Sequence, residues 1–242
     1  LRFQGHGIDL GSDLSVSSNL AEFINQPFKT QNMSTPTFKT EQEAFWAGQF
    51  GIDYIDRNQG PALLASNLDF FVKALRHTRQ MNSCIEFGAN IGMNLNALRL
   101  LFPHIDAHAI EINPTAAQQL RHAIPAENVY PVSLLDFQPT RTWDLTLIKG
   151  VLIHINPEAL PTAYDKLVKS CKRYLLVAEY YNPTPVAIPY RGHTDRLFKR
   201  DFAGELMELH PQMTLIDYGF AYKRDPNFPQ DDITWFLMEK TL

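Results

Sequence analysis

Ser83-Cys84-Ile85-Glu86-Phe87-Gly88-Ala89-Asn90-Ile91-Gly92-Met93-Asn94 reads as a buried strand that turns sharply into a helix. Downstream, Leu95, Leu98, Leu101 and Phe102 recur at helical spacing until Pro103. Upstream, Asn67 to His77 predicts another helix with Leu68, Phe71, Val72 and Leu75 on one side. Gly88 and Gly92 therefore fall in the turn, where glycine reaches backbone angles closed to other residues and lets a ligand approach the main chain. The helix that follows presents unpaired N–H groups to the same place. A dinucleotide fingerprint, G-x-G-x-x-G, requires glycine where this chain has Asn90 and Met93, so that reading fails. What remains is an acid, Glu86, two residues before the first glycine of E-x-G-x-x-x-G.

Working outward, Ala107 to Asn113 predicts a second strand ending in an acid, Glu111. It lies about twenty residues past the glycines, where nucleotide-binding α/β folds place the carboxylate that accepts ribose hydroxyls. Asn113-Pro114 then starts a helix, with proline suited to its first turn. Asn128 to Val132 is a short strand followed by the loop Ser133-Leu134-Leu135-Asp136-Phe137. Trp143 to Ile148 is an almost continuous apolar run, hence a strand buried on both faces. It leads into Lys149-Gly150-Val151-Leu152-Ile153-His154, and strand ends of this kind line the ligand crevice. A helix is expected from Pro157 to Leu167 and a fifth strand from Arg173 to Tyr181. Three prolines make Asn182 to Pro189 a loop, and Tyr190 to Phe202 is dense in basic and hydrogen-bonding groups. A helix from Phe202 to Leu209 and strands near 215–218 and 233–239 finish the chain.

The 242 residues suffice for one α/β domain with small additions, or at most two compact units. A 45% hydrophobic and 20% charged composition is that of an ordinary soluble enzyme. The net charge of −4 and the lack of a basic run argue against nucleic acid as partner, and no apolar stretch reaches membrane-spanning length. Two isolated cysteines, Cys84 and Cys171, make no disulfide framework, and a reducing cytoplasm is expected. No metal site is expected. Leu1 to Gly5 looks like the remnant of an engineered protease site. Residues 1–12 are thus read as a tag remnant, 13–39 as a flexible arm and 40–242 as the domain. Thr40 and Glu43 form a capping box that starts a helix carrying Phe45, Trp46, Phe50 and Tyr54.

The acid–glycine stretch resembles motif I of the class I S-adenosylmethionine-dependent methyltransferases. A finer likeness rests on Glu43-Ala44-Phe45-Trp46, Phe50-Gly51, Tyr54, Arg57-Asn58, Glu86 to Gly92, Lys149 to Pro157, Tyr190-Arg191-Gly192-His193 and Asp231 to Phe236. These look like the pseudaminic acid biosynthesis-associated methylases, a subgroup with asparagine at the position of Asn90. The resemblance implies a Rossmann-like, doubly wound, seven-stranded sheet, mostly parallel with one antiparallel strand near the C-terminus. It also implies a helical lid over residues 40–60 and an acceptor-side insertion over 182–210.

The cofactor implied is S-adenosyl-L-methionine. Its ammonium suits Glu86, its ribose Glu111, and its carboxylate the glycine loop of Gly88, Asn90 and Gly92 or the guanidinium of Arg57. Leu134 or Leu135 would flank the adenine, with Asp136 accepting from its amino group. Trp46, Tyr54, Ile112, Lys149 and Gly150 complete the expected cofactor set. The acceptor, a small molecule, falls to Tyr181, Tyr190, Arg191, His193, Lys199 and Arg200, whose cations suit a carboxylate or phosphate. His154 and His193 are the candidate bases, since imidazole titrates near neutrality, with Lys149 beside them. The expected activity is methyl transfer to oxygen or nitrogen of a small polar, anionic metabolite, by a monomer or homodimer. The alternatives are a methyltransferase-like binding module without turnover and a nicotinamide-dependent oxidoreductase.

Overall fold

The computed structural model of the chain describes residues 38–241. The expected tag remnant and residues 13–37 of the expected arm lie outside the described residues. Helices α1 (Glu41–Ala47) and α2 (Gln49–Ile55) come first. The sequence predicts one helix here, but Gly48 takes an extended conformation and serves as C-cap of α1 and N-cap of α2. The capping box forms as expected: Thr40 Oγ1 accepts from the Glu43 amide at 3.2 Å, and Glu43 Oε2 accepts from the Thr40 amide at 2.8 Å.

Helix α3 (Pro61–Ala74) starts six residues earlier than the sequence suggests, because Pro61 fits its first turn and Gly60 takes the cap. The buried stripe is Phe70, Phe71 and Ala74, whereas Val72 is 56% exposed and faces away. Burying each phenylalanine contributes about 1.5–3 kcal/mol. Strand β1 (Ser83–Phe87), helix α4 (Met93–Leu101), strand β2 (Asp106–Ile110) and helix α5 (Pro114–Leu120) follow. Then come β3 (Val129–Tyr130), β4 (Trp143–Lys149), α6 (Leu160–Ser170) and β5 (Cys171–Glu179). The small hairpin β6 (Val186–Ala187) with β7 (Phe198–Lys199), then α7 (Phe202–Leu209), β8 (Met213–Ala221) and β9 (Ile233–Lys240) complete the described chain.

The seven strands order as β3-β2-β1-β4-β5-β9-β8. Strands β1 to β5 pair in parallel, and β9 runs between β5 and β8, antiparallel to both. This is the expected doubly wound sheet with one reversed strand near the C-terminus. One core layer packs Phe71, Leu95, Leu98 and Leu120 against Cys84, Leu145, Leu147 and Leu237. The opposite layer packs Tyr164, Leu167, Phe202 and Leu206 against Ile85, Ile148, Val177 and Met238. The strand direction reverses its crossover between β1 and β4, so their carboxyl ends open a crevice. Among the described residues, no helix is long and apolar enough to cross a membrane.

Candidate functional site

A cavity of about 470 Å³ opens at those strand ends. Its floor is the turn after β1. Gly88 takes φ +77°, and a Cβ there would sit 2.6 Å from Val151 Cγ2. Asn90 follows at φ +50°, a conformation asparagine tolerates better than most side chains. Gly92, also at positive φ, does not line the cavity; a Cβ there would strike Leu120 Cδ1 at 2.7 Å, so it serves the packing of α4 on α5.

Two acids stand under this turn. Glu86 is fully buried and does not itself line the cavity; its Oε1 accepts from Asn94 Nδ2, a lining residue, at 2.6 Å while Oε2 has no partner. Burial pushes its carboxyl up to about 8, against the opposing pull of the Asn94 bond and the Lys149 ammonium. Glu111 follows β2 and is 7% exposed. Its Oε2 accepts from the Asn90 amide and its Oε1 from the Asn113 amide, both at 2.7 Å. A carboxylate offers about four lone-pair sites, so both oxygens can still accept from a ligand on the cavity side. Burial raises this carboxyl too, with the amide bonds working against it.

Helices α1 and α2 close one side through Trp46, Tyr54 and Arg57. They are held by Asn113, whose Nδ2 donates to the carbonyls of Trp46, Ala47 and Gly48 while its Oδ1 caps α5. Glu43, itself buried, accepts from Ser133 Oγ in the β3–β4 loop. Leu134 lines the cavity from that loop, but Leu135 points into the core. Asp136 does not reach the cavity: it is half exposed and ion-paired with Lys39. The polar groups presented by this corner are instead Glu43 and Ser133.

Lys149 ends β4, with its ammonium 5.5 Å from the centre of the Phe70 ring. No hydrogen bond or ion pair to it forms among the described residues. Burial lowers its pKa, and the carboxylates of Glu86, Asp231 and Glu179 resist this. Gly150, at φ +69°, leaves open space where a Cβ would be. The loop beyond is fixed by Glu179, which accepts from the amides of Val151, Leu152 and Ile153 at 2.9–3.4 Å. His154 Nδ1 lies 2.6 Å from the Arg196 carbonyl. A carbonyl only accepts, so Nδ1 carries the proton and Nε2 keeps a lone pair. Its ring packs on Trp46 and Tyr190, and burial pulls its pKa down to about 4.

Tyr190 and Arg191 line the cavity, as do Ile112, Asn90 and Gly150. His193 does not: it is exposed, with its ring edge-on to Phe45 at 5.3 Å. Tyr181, just past the end of β5, points away onto Phe236, while its neighbour Tyr180 lines the cavity. Lys199 sits outside, its ammonium over the Tyr180 ring, and Arg200 is bound to Glu205 at 2.6 Å. Sequence reasoning missed Asn67 and Gln230, which pair at 3.1 Å across 163 residues, and Asp231 beside them. Nothing local signals that pairing. Ser133 and Tyr180 did carry a signal, a hydroxyl one step away from the residue chosen.

Sequence comparison finds no matching family model and no matching curated protein. Solved structures do match in shape. The sugar N-methyltransferase KedS8 from Streptoalloteichus sp ATCC 53650 aligns with TM-score 0.59 at 13% identity, over 86% of this chain and 98% of that one. Magnesium protoporphyrin IX methyltransferase (ChlM) from Synechocystis PCC 6803, with bound SAM, gives 0.59 at 13% identity, covering 85% and 100%. N-methyltransferase NodS from Bradyrhizobium japonicum WM9, in complex with S-adenosyl-L-homocysteine, gives 0.57 at 14% identity, covering 78% and 98%. The chain is built on the fold that these methyltransferases share.

Proposed function

We propose that the chain is an S-adenosylmethionine-dependent methyltransferase acting on oxygen or nitrogen of a small, polar, anionic metabolite. The observation that carries this is Glu111 on the cavity wall beside the Gly88 turn, with the buried Glu86 carboxyl, one oxygen unpartnered, directly beneath that turn. A buried unpaired oxygen is costly unless a ligand donor meets it. The unpartnered Asn90 Oδ1 adds a second acceptor at the same turn. These groups fit a ligand with an ammonium and a diol. They do not supply the close-approach glycines that a pyrophosphate needs.

S-adenosylmethionine, when bound, supplies a methyl group already activated on sulfonium. The remaining work is alignment and exclusion of water. Glu86, ionised when an ammonium approaches it, and the Lys149 ammonium are suited to the amino and carboxylate ends of an amino acid. Glu111 takes the ribose, and Leu134 and Ile112 offer apolar surface to the adenine. His154 presents Nε2 as an acceptor that orients an acceptor hydroxyl or amine. Its lowered pKa makes it a weak proton store, so it holds the proton only as it passes. Trp46, Tyr54 and Tyr190 keep this end dry. The finer resemblance supports a nonulosonic-acid-type sugar or a related intermediate as acceptor.

Calorimetric titration with S-adenosyl-L-homocysteine tests the reading. Wild-type protein should bind it, and Glu111→Ala should bind it far more weakly, since two hydroxyls lose a charged acceptor at about 1.5–3 kcal/mol each. A folded Glu111→Ala variant with unchanged affinity rejects the ribose role. Absence of binding to the wild type rejects the function.

A further inference from the structure

The charges that face the cavity are unevenly spent. Both oxygens of Glu111 take main-chain amides, and Glu43 is bound to Thr40 and Ser133, which leaves Asp231 as the one acid on the wall without a side-chain hydrogen bond or ion pair among the described residues. Three cations on the wall, Lys149, Arg57 and Arg191, make no side-chain ion pair or hydrogen bond among the described residues. Lys149 lies deep, next to Glu86. The two arginines stand at the exposed rim. Both guanidiniums lie on the same aromatic ring: Arg57 Cζ is 5.7 Å and Arg191 Cζ 6.0 Å from the centre of Phe50. Each also rests on its own tyrosine, Tyr54 at 5.3 Å and Tyr190 at 5.8 Å. The Phe50 ring thus meets two cations that come from separate segments, the turn after α2 and the turn before β7.

That turn is built at a cost. Tyr190 and His193 exchange both main-chain hydrogen bonds around Arg191 and Gly192, and Arg191 takes φ +49°. Asparagine, aspartate or glycine is usual at such a position. The arginine there points its charge over the cavity.

A bound S-adenosylmethionine carries one carboxylate, and Lys149 beside Glu86 is the cation placed for it. The arginines are then left without a partner in either protein or cofactor. We propose that Arg57 and Arg191 together grip an acidic group of the methyl acceptor, a carboxylate or a phosphate, at the mouth of the cavity. This rests on the methyltransferase reading above. It moves Arg57 from the cofactor to the acceptor and leaves Lys199 and Arg200, which lie outside the cavity, with no part in acceptor binding. Guanidinium suits this task because its planar fork pairs with carboxylate or phosphate oxygens two at a time. It also makes the acceptor a strap: one anion held from both sides ties the α1–α2 segment to the Tyr190–His193 turn over the bound cofactor.

The test uses inorganic phosphate and malonate as probes, titrated by calorimetry into the full chain with and without saturating S-adenosyl-L-homocysteine. At least one anion should bind saturably, and Arg57→Gln and Arg191→Gln should each weaken it about tenfold or more. Combining the two should cost less than the product of the single effects, as expected of two groups on one anion. Homocysteine-product affinity should stay within about twofold in both variants and fall in Lys149→Met. Preference for phosphate over malonate identifies a phosphorylated acceptor, and the reverse a carboxylate. The proposal fails if neither anion binds, if binding survives both substitutions, or if Arg57→Gln loses cofactor-product affinity as Lys149→Met does. Anion binding without the cofactor product is read separately, so failure of the methyltransferase reading shows as loss of that product alone.

Discussion

At the scale of single residues, Glu86 is the group whose chemistry reaches furthest. Its carboxyl in the folded chain titrates near 8, against an ordinary value of 4.5, because burial disfavours its charge. A raised acid favours the folded state while protonated. That contribution is complete below 4.5 and is lost as pH rises toward 8. Glu179, pushed up to about 7, adds in the same direction over a narrower window. His154, held down to about 4 by burial, acts the opposite way below about pH 6.5, so unliganded protein should lose stability most clearly between pH 6.5 and 8, and Glu86→Gln should flatten the slope; urea melts at several pH values measure both. An ammonium arriving at Oε2 favours the charged carboxylate, so binding S-adenosyl-L-homocysteine near pH 7 should release a proton. Titrations in buffers of different ionisation enthalpy read that proton directly, and the release should vanish in Glu86→Gln. Gly88 allows a second prediction. Its φ of +77° and the 2.6 Å approach of Val151 leave no room for a methyl group. Gly88→Ala should destabilise the fold by about 1–3 kcal/mol, read as a lower denaturant midpoint with unchanged slope.

Among the elements, α1 and α2 depend on contacts that no helix propensity provides. Asn113 joins them to α5 by spending its amide N–H groups on the carbonyls at the end of α1. Gly51 permits this: a Cβ there would lie 2.0 Å from the Trp46 oxygen and 2.7 Å from Asn113 Nδ2. Gly51→Ala should push the helix pair off its seat. Trp46 and Tyr54 would then leave the cavity wall, and S-adenosyl-L-homocysteine affinity should fall about tenfold or more. The sheet takes no support from this contact, so the main unfolding transition should remain cooperative. Loss of that transition would mean that α1 and α2 belong to the folding core. The same layer shows where sequence reading stops. The capping box of Thr40 and Glu43 is legible because its partners are three residues apart. The break at Gly48 is not, because the group that stabilises it is 65 residues away.

For the whole molecule, ligand and fold are linked by mass action. S-adenosyl-L-homocysteine at one hundred times its dissociation constant should stabilise the folded chain by about 2.7 kcal/mol. For a domain of this size that corresponds to a rise in Tm of roughly 5–10 °C. Nicotinamide dinucleotides should give no rise, since Asn90 and Met93 stand where a pyrophosphate needs glycine. Equal protection by both would return the site to a generic nucleotide pocket. Acceptor-like anions should add to the shift only when Arg57 and Arg191 are both present.

The sequence by itself determined the order of the main strands and helices, the sharp turn at Gly88 and the acids toward the ends of two strands, whereas the reversed final strand was implied only by the family resemblance. These are consequences of short-range rules: hydrophobic period, glycine's free backbone, proline's fixed one and caps closed within a turn. Only the tertiary structure decided which neighbours face the cavity. It turned Tyr180 inward and Tyr181 out, gave the corner at the β3–β4 loop to Ser133 and Glu43 while Asp136 bound Lys39, and neutralised Arg200 with Glu205. It also paired Asn67 with Gln230 and left Lys149, Arg57 and Arg191 without partners among the described residues. The physical reason is that a polar side chain's role depends on which donors and acceptors already satisfy it. Those partners come from elements far apart in the chain, brought together only when the sheet is closed and its helices are packed.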